Sequence, residues 1–227
     1  MFARYSVIQS FLALFPQPRY LEIGVNKGVT FHNLTASKKV AVDPKFLFTT
    51  NDREPDAEYH EVTSDVYFLD LRDDEQFDVI YLDGLHTFEQ TLRDLLNSIC
   101  HIRRDGIIII DDVLPNSYHA SLKDLSEFHE TYPHMGPQAD GSWMGDVYRL
   151  VYFIETYLPK YMYATMRENH GQLVMWRGKR TEHKSRDYDV EEICRLEYKD
   201  ILLRTSSYNF LSLEEIHRAR RDCLSSE

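Results

Sequence analysis

Cysteine is scarce: the chain has three in 227 residues, Cys100, Cys194 and Cys223. They lie far apart, and no two stand in a CxxC or other zinc-type spacing. Neither a disulfide framework nor a cysteine-zinc site is expected, and reduced thiols in a cytoplasmic protein are the natural reading. Basic residues are in deficit as well. Lys and Arg number 26 against 37 Asp and Glu, giving a net charge of -11. Nucleic-acid binders carry a basic face, so no nucleic-acid partner is expected, and the acid excess reads as solubility. Long apolar runs are missing too. The first residues lack the basic start, extended apolar stretch and small-residue cleavage site of a signal peptide, and nothing is long enough to span a membrane. There is no internal repeat and no low-complexity tract. What remains is an apolar fraction of 43%, enough for a proper core, and a length that suits one α/β domain with additions.

Apolar spacing organises the rest. Val7, Ile8, Phe11, Leu12 and Phe15 predict an amphipathic helix over residues 2–15, ending before Pro16. Strands are expected at 20–24, 39–43, 59–62, 77–82 and 106–110, the last almost purely β-branched, as in a strand buried on both faces. Helices are expected at 29–37 and 87–101 between them. This alternation predicts a mostly parallel sheet with right-handed crossovers. Residues 113–141, rich in Pro and Gly, interrupt it around a helix at 121–130, and a connection of that length usually has a function. A helix over 143–157 follows. The alternating segments 161–167 and 172–176, flanking Glu168-Asn169-His170-Gly171, predict an antiparallel hairpin. A polar loop at 179–189 leads to helices at 190–203 and 212–221. The chain divides into an N-terminal helix (1–17), a core domain (18–178) and a helical extension (179–227). Whether the hairpin or the extension makes a homo-oligomer contact is left open by their pattern.

The chemistry clusters at strand ends. The first strand closes in Glu22-x-Gly24-x-x-x-Gly28, with Asn26 inside the loop. Glycines at such a turn let a ligand approach the backbone. The GxGxxG that aims a helix at a pyrophosphate is absent. Asp43 ends the second strand, about 20 positions on, where an acidic side chain can hold ribose hydroxyls. Asp83 ends the fourth strand, and Asp111 and Asp112 end the fifth. Adjacent parallel strands lie roughly 5 Å apart, so these carboxylates should converge, and like charges at close quarters call for protonation or a shared cation such as a hard divalent ion. The plainer alternative is that Asp111 and Asp112 cap the following loop. His86, three residues after Asp83, is a general-base candidate or a structural turn histidine. His119, His129 and His134 lie in the long connection, and Trp143-Met144-Gly145-Asp146 follows it as either an aromatic wall or core packing.

These motifs resemble class I S-adenosylmethionine-dependent methyltransferases. Within them the chain is most similar to the cephalosporin-biosynthesis-type family with its Asp-Gly-x-His motif, and more distantly to catechol O-methyltransferases. The stretches that carry the resemblance are Tyr20 to Gly28, Ala41 to Pro44, Phe77 to His86 and Asp105 to Asp112, within residues 18–160. The resemblance implies a Rossmann-like three-layer α/β sandwich whose mostly parallel seven-stranded sheet ends in an antiparallel hairpin. It implies that Glu22 and Gly24, with Asn26 and Gly28, line the methionine end of the cofactor. It further implies that Asp43 binds the ribose, that Ser64 or Asp65 lies near the adenine, and that Asp83 also touches the cofactor. In the catechol group the equivalents of Asp83, Asp111 and Asp112 are Asp, Asp and Asn and bind magnesium; Asp112 departs from that pattern and adds a charge. Methyl transfer to a small-molecule hydroxyl is therefore expected, using S-adenosyl-L-methionine, with Asp83 and His86 catalytic and Mg2+ or another divalent cation open as an aid. A non-catalytic S-adenosylmethionine- or nucleoside-binding module and an NAD-dependent oxidoreductase are the alternatives.

Overall fold

The computed structural model describes residues 3–49, 54–136, 141–167, 171–180 and 187–225. Seven strands form one sheet: β1 (Arg19–Ile23), β2 (Lys38–Val42), β3 (Ala57–His60), β4 (Phe77–Leu82), β5 (Ile102–Ile110), β6 (Tyr161–Thr165) and β7 (Leu173–Arg177). Their spatial order is β3-β2-β1-β4-β5-β7-β6. The first five run parallel, and β7 pairs antiparallel with both β5 and β6. The order reverses between β1 and β4, which is where ligands of open α/β sheets bind, beyond the carboxyl ends of the strands. This is the expected Rossmann-like sandwich, closed by its antiparallel hairpin.

The alternation of side chains along each strand divides the core in two. Leu21, Ile23, Val40, Ile80, Leu82, Ile108 and Ile110 face one layer. There they meet α2 (Ser64–Asp70), α3 (Phe88–His101) and α5 (Arg149–Tyr157), together with the short α6 (Val190–Cys194) and α7 (Tyr198–Leu203). Tyr20, Ala41, Val79, Tyr81, Ile107 and Ile109 face the other, against α1 (Arg4–Leu12) and α8 (Leu213–Ser225). Residues after 187 thus contribute to both cores: Ile193, Ile201 and Tyr208 on one side, Ile216 on the other.

The departures from expectation have local causes. The helix expected at 29–37 is only a 3-10 turn, Phe31–Asn33. Lys39, buried to 2% exposure, donates its ammonium protons to the Phe31 and Leu34 carbonyls, which a helix would need for itself. No full helix therefore follows the glycine loop. The seven-residue α2, unanticipated, starts at Thr63, whose hydroxyl accepts from the Val66 amide. The helix expected at 121–130 is α4 (Leu125–Thr131), starting later because Asp124 caps it. The expected helix 190–203 is broken, because the Leu196 carbonyl accepts hydrogen bonds from Tyr148 and Arg149. α5 begins at Arg149, not 143; the preceding Asp146 caps α3 instead, accepting from the Phe88 amide at 2.6 Å. The expected hairpin tip at Glu168-Asn169-His170 and most of the 179–189 loop lie outside the described residues. Among those described, no helix is long and apolar enough to cross a membrane.

Candidate active site

A cleft of about 720 Å³ opens over the carboxyl ends of β1, β2 and β4, within the size range of small-molecule and cofactor sites. The strand ladders carry on one residue past the strand ends. Gly24 donates to the Val42 carbonyl, Asp83 to Ile23 and Asp111 to Leu82. The site's backbone is therefore as rigid as the sheet.

Gly24 has φ +89°, and a β-carbon there would lie 1.9 Å from the Asp83 carbonyl oxygen, so only glycine can bring β1 this close to the end of β4. Asp43 is held by two backbone amides, Asn26 donating to one carboxylate oxygen and Lys45 to the other, each at 2.8 Å. Asn26 reaches it from a left-handed backbone conformation, φ +50°. Glu22 is fully buried and accepts from the Tyr20 hydroxyl at 2.7 Å. Burial pushes the Glu22 carboxyl up, and Asp83 and Asp43 push the same way. Tyr20 and Lys39 oppose them, and the balance stands at about 8. Thr63, Ser64, Gln90 and Asp94 close the far end, the Gln90 amide donating to Ser64, at 3.1 Å, and to Asp94, at 3.0 Å.

Across the cleft, Asp83, His86 and Asp112 converge. Their ligand atoms all lie within 4.8 Å of one another. His86 Nε2 is 3.4 Å from Asp83 and 3.3 Å from Asp112, while its Nδ1 donates to the Trp143 carbonyl at 2.8 Å. Burial opposes a charge on this ring, but the bond to Asp83, the charges of Asp112 and Asp83 and the Trp143 carbonyl overcome it and raise His86 to about 9. Trp143 stacks on the ring at 5.3 Å and is itself fixed by its indole N–H on Leu122. Gly145, φ +60°, lets this segment pass beneath His86; a β-carbon there would sit 1.6 Å from the His86 carbonyl oxygen. The Trp-Met-Gly-Asp stretch therefore clamps the histidine turn as well as contributing an aromatic wall to the cleft.

Glu22, Gly24, Asn26, Asp43, Ser64, Asp83, His86 and Asp112 all line this one cleft. Gly28, Asp65 and Asp111 do not. Gly28 sits in the turn behind the loop, donating to Val25, and Asp65 is exposed, paired with Arg93. Asp111 points the other way, accepting from Tyr81 at 2.6 Å and pairing with Arg4 at 2.8 Å. Burial, Asp112 and Asp83 hold its carboxyl well above the usual range against the opposing Arg4 and Tyr81. The backbone of Asp112, φ +59°, turns its side chain away from that of its neighbour. Convergence of the β4 and β5 ends thus brings Asp83, Asp112 and His86 to one point, with Asp111 behind them.

Sequence reasoning missed Arg4, Tyr20, Tyr81, Gln90 and Asp94. The two tyrosines had a legible signal: Tyr20-x-Glu22 and Tyr81-x-Asp83 place a phenol and a carboxylate on the same face of a strand. Gln90 and Asp94 are one turn apart on α3 and were readable only as a polar face. Nothing in the sequence connects Arg4 to Asp111.

No curated protein matches the chain in sequence. Residues 21–113 match the family model described as "Methyltransferase domain". In structure the chain is similar to the S-adenosylhomocysteine-bound methyltransferase PaMTH1 from Podospora anserina: 18% identity, 79% of this chain, 80% of that one, TM-score 0.54. It is equally similar to an O-methyltransferase from Bacillus cereus in complex with S-adenosylhomocysteine: 13%, 77% and 81%, TM-score 0.54. The MycE methyltransferase of the mycinamycin biosynthetic pathway, in complex with magnesium, S-adenosylhomocysteine and mycinamycin VI, matches over 84% of this chain but 52% of its own, at 14% identity and TM-score 0.50. At such identities the likeness is one of fold. The chain thus has the Rossmann-like fold of these methyltransferases, and its residues 21–113 match a methyltransferase domain.

Proposed function

We propose that the protein transfers a methyl group from S-adenosylmethionine to a hydroxyl of a small molecule. The observation that carries this reading is a single cleft with two unlike halves: the Gly24 and Asp43 cradle beside buried Glu22, facing the Asp83, His86 and Asp112 group. The cradle fits the cofactor chemically. Gly24 lets the loop close tightly on the end of β4, Asp43 is pre-oriented to accept from ribose hydroxyls, and the hydrogen-bond partner of Glu22 is the neutral Tyr20 hydroxyl. When bound, S-adenosylmethionine supplies an electrophilic methyl group on a sulfonium. The chain's part is then to align an acceptor oxygen and to take its proton, a positioning and acid–base task for His86 and the carboxylates at its Nε2. The O-methyltransferase and mycinamycin-bound neighbours support a small-molecule acceptor. A divalent cation also fits the donor set. Asp83, His86 and Asp112 would hold it, and it would lower the pKa of a bound hydroxyl. One imidazole among the oxygens suits manganese, iron or zinc better than magnesium.

The test is formation of S-adenosylhomocysteine, followed by mass spectrometry, when the protein meets S-adenosylmethionine and a panel of phenols, catechols and sugar hydroxyls. Turnover with at least one class is expected. Binding without turnover on any acceptor would favour a non-catalytic module, and stabilisation by NAD alone would overturn the assignment.

A pH effect on binding follows from Glu22. With its carboxyl at about 8, the unliganded protein holds it protonated at neutrality, and a cationic ligand end beside it requires the ionised form. Through this group affinity for S-adenosylmethionine should therefore rise with pH between 6 and 8, by up to about tenfold per unit. Calorimetry across that range should show proton release on binding, and Glu22→Gln should lower the slope by the Glu22 share, leaving that of the His86 ring. Equal slopes in the two proteins would exclude Glu22 from the ligand site.

A further inference from the structure

Each of the two carboxylates at the centre of the cleft divides its oxygens between two cationic side chains. Asp83 turns Oδ1 to His86, at 3.4 Å, and Oδ2 to Arg4, at 3.5 Å. Asp112 turns Oδ2 to His86, at 3.3 Å, and Oδ1 to Arg4, at 3.6 Å. Asp111, behind them, binds Arg4 Nε directly at 2.8 Å, while its own Oδ1 is buried without a hydrogen bond. One guanidinium from the start of α1 thus lies against all three acids. α1 is anchored for this by Val7, Ile8, Phe11 and Leu12, all fully buried, and packs on β4. The Arg4 side chain is one-third exposed and lines the cleft.

We infer that Arg4 is a built-in counter-cation of this acidic group, occupying electrostatically the place that a divalent ion would otherwise take. A metal held by Asp83, His86 and Asp112 would meet Arg4 on the far oxygens of the same carboxylates, and like charges sharing one set of anions weaken each other's binding. Removing the resident partner of these three acids leaves the buried group without compensation, which favours a replacement cation. The inference concerns the same cleft as the methyl-transfer reading, but its readout is cation binding. Calorimetry of the same variants with S-adenosylhomocysteine reports on that reading separately.

The experiment is titration of Mn2+, followed by electron paramagnetic resonance, into the full chain, Arg4→Met and Arg4→Lys. Met keeps the length and loses the charge, whereas Lys keeps the charge. Arg4→Met is expected to bind Mn2+ at least tenfold more tightly than the unaltered chain, with Arg4→Lys staying within a few fold of it. Mn2+ should raise the melting temperature of Arg4→Met and leave that of the unaltered chain nearly unchanged. If Arg4→Met unfolds on its own, recovery of its circular dichroism by Mn2+ but not by equal ionic strength of NaCl makes the same point. Unchanged or weaker Mn2+ binding by Arg4→Met, tight binding by the unaltered chain, or an unfolded variant that Mn2+ does not rescue would each overturn the inference.

Discussion

Gly24→Ala is expected to abolish binding of S-adenosylhomocysteine, weakening it at least a hundredfold, and to lower the melting temperature by roughly 5–15 °C. The added β-carbon would lie 1.9 Å from the Asp83 carbonyl oxygen, 2.3 Å from its carbon and 2.6 Å from Gly84 Cα. All of these are backbone atoms of the neighbouring strand end, so no side chain can swing aside. The residue also has φ +89°, which costs an L-residue about 1–2 kcal/mol, and crowding a packed site adds about 1–3 kcal/mol. For a chain of this length each kcal/mol is worth about 2–4 °C. The strain has one outlet, which is to part β1 from β4, and that moves Asp83 away from the cradle where Gly24 and Asp43 wait. Gly136, with nothing within 4 Å of its would-be β-carbon, is the control: Gly136→Ala should bind and melt like the unaltered chain. Undiminished affinity in Gly24→Ala would mean that no ligand lies against this turn.

The parts that could be read from sequence are those whose causes are local. The C-terminal halves of β4 and β5 are buried on both faces and read as apolar runs, residues 79–82 and 107–110; their ends, and so Asp83, Asp111 and Asp112, could be placed within a residue or two. The face of α3 with Leu92 and Leu95 was equally plain. What could not be read depends on partners distant in the chain. Lys39 cancels the helix after the glycine loop by taking two of its carbonyls. Tyr148 and Arg149 split the helix at 190–203 from nearly 50 positions away. The site follows the same division. Its carboxylates sit at strand ends, where pattern finds them. Strand spacing, however, says only that three acids converge. It does not say that Asp112 adopts a left-handed backbone and Asp111 turns to Tyr81 and Arg4. The role of Arg4 requires α1 to cross β4, a fact of topology with no trace in the first four residues.

Replacing His86 by Ala should reduce methyl transfer by about 10²–10⁴-fold, the usual contribution of a positioned acid–base group, while S-adenosylmethionine affinity stays within a few fold. The ring is flanked by Trp143, Asp83 and Asp112, the half of the cleft that the proposed reaction gives to the acceptor, and not by Glu22 and Asp43. Its Nδ1 proton is committed to the Trp143 carbonyl, so Nε2 is the nitrogen available for exchange. In the unliganded cleft the ring is protonated up to about 9; a cationic cofactor in the same cleft disfavours a second positive charge and brings that value down, so that the neutral base is favoured only when the methyl donor is present. Chelation separates this role from a metal's. With Arg4 against the three acids, the unaltered chain should keep most of its activity in excess EDTA, whereas His86→Ala should be slow with or without it. Loss of activity in EDTA, restored by Mn2+, would make His86 a ligand first and assign proton removal to the metal-bound hydroxyl. Equal rates for His86→Ala and the unaltered chain would leave the ring only its structural task, holding the Trp143 segment over the cleft.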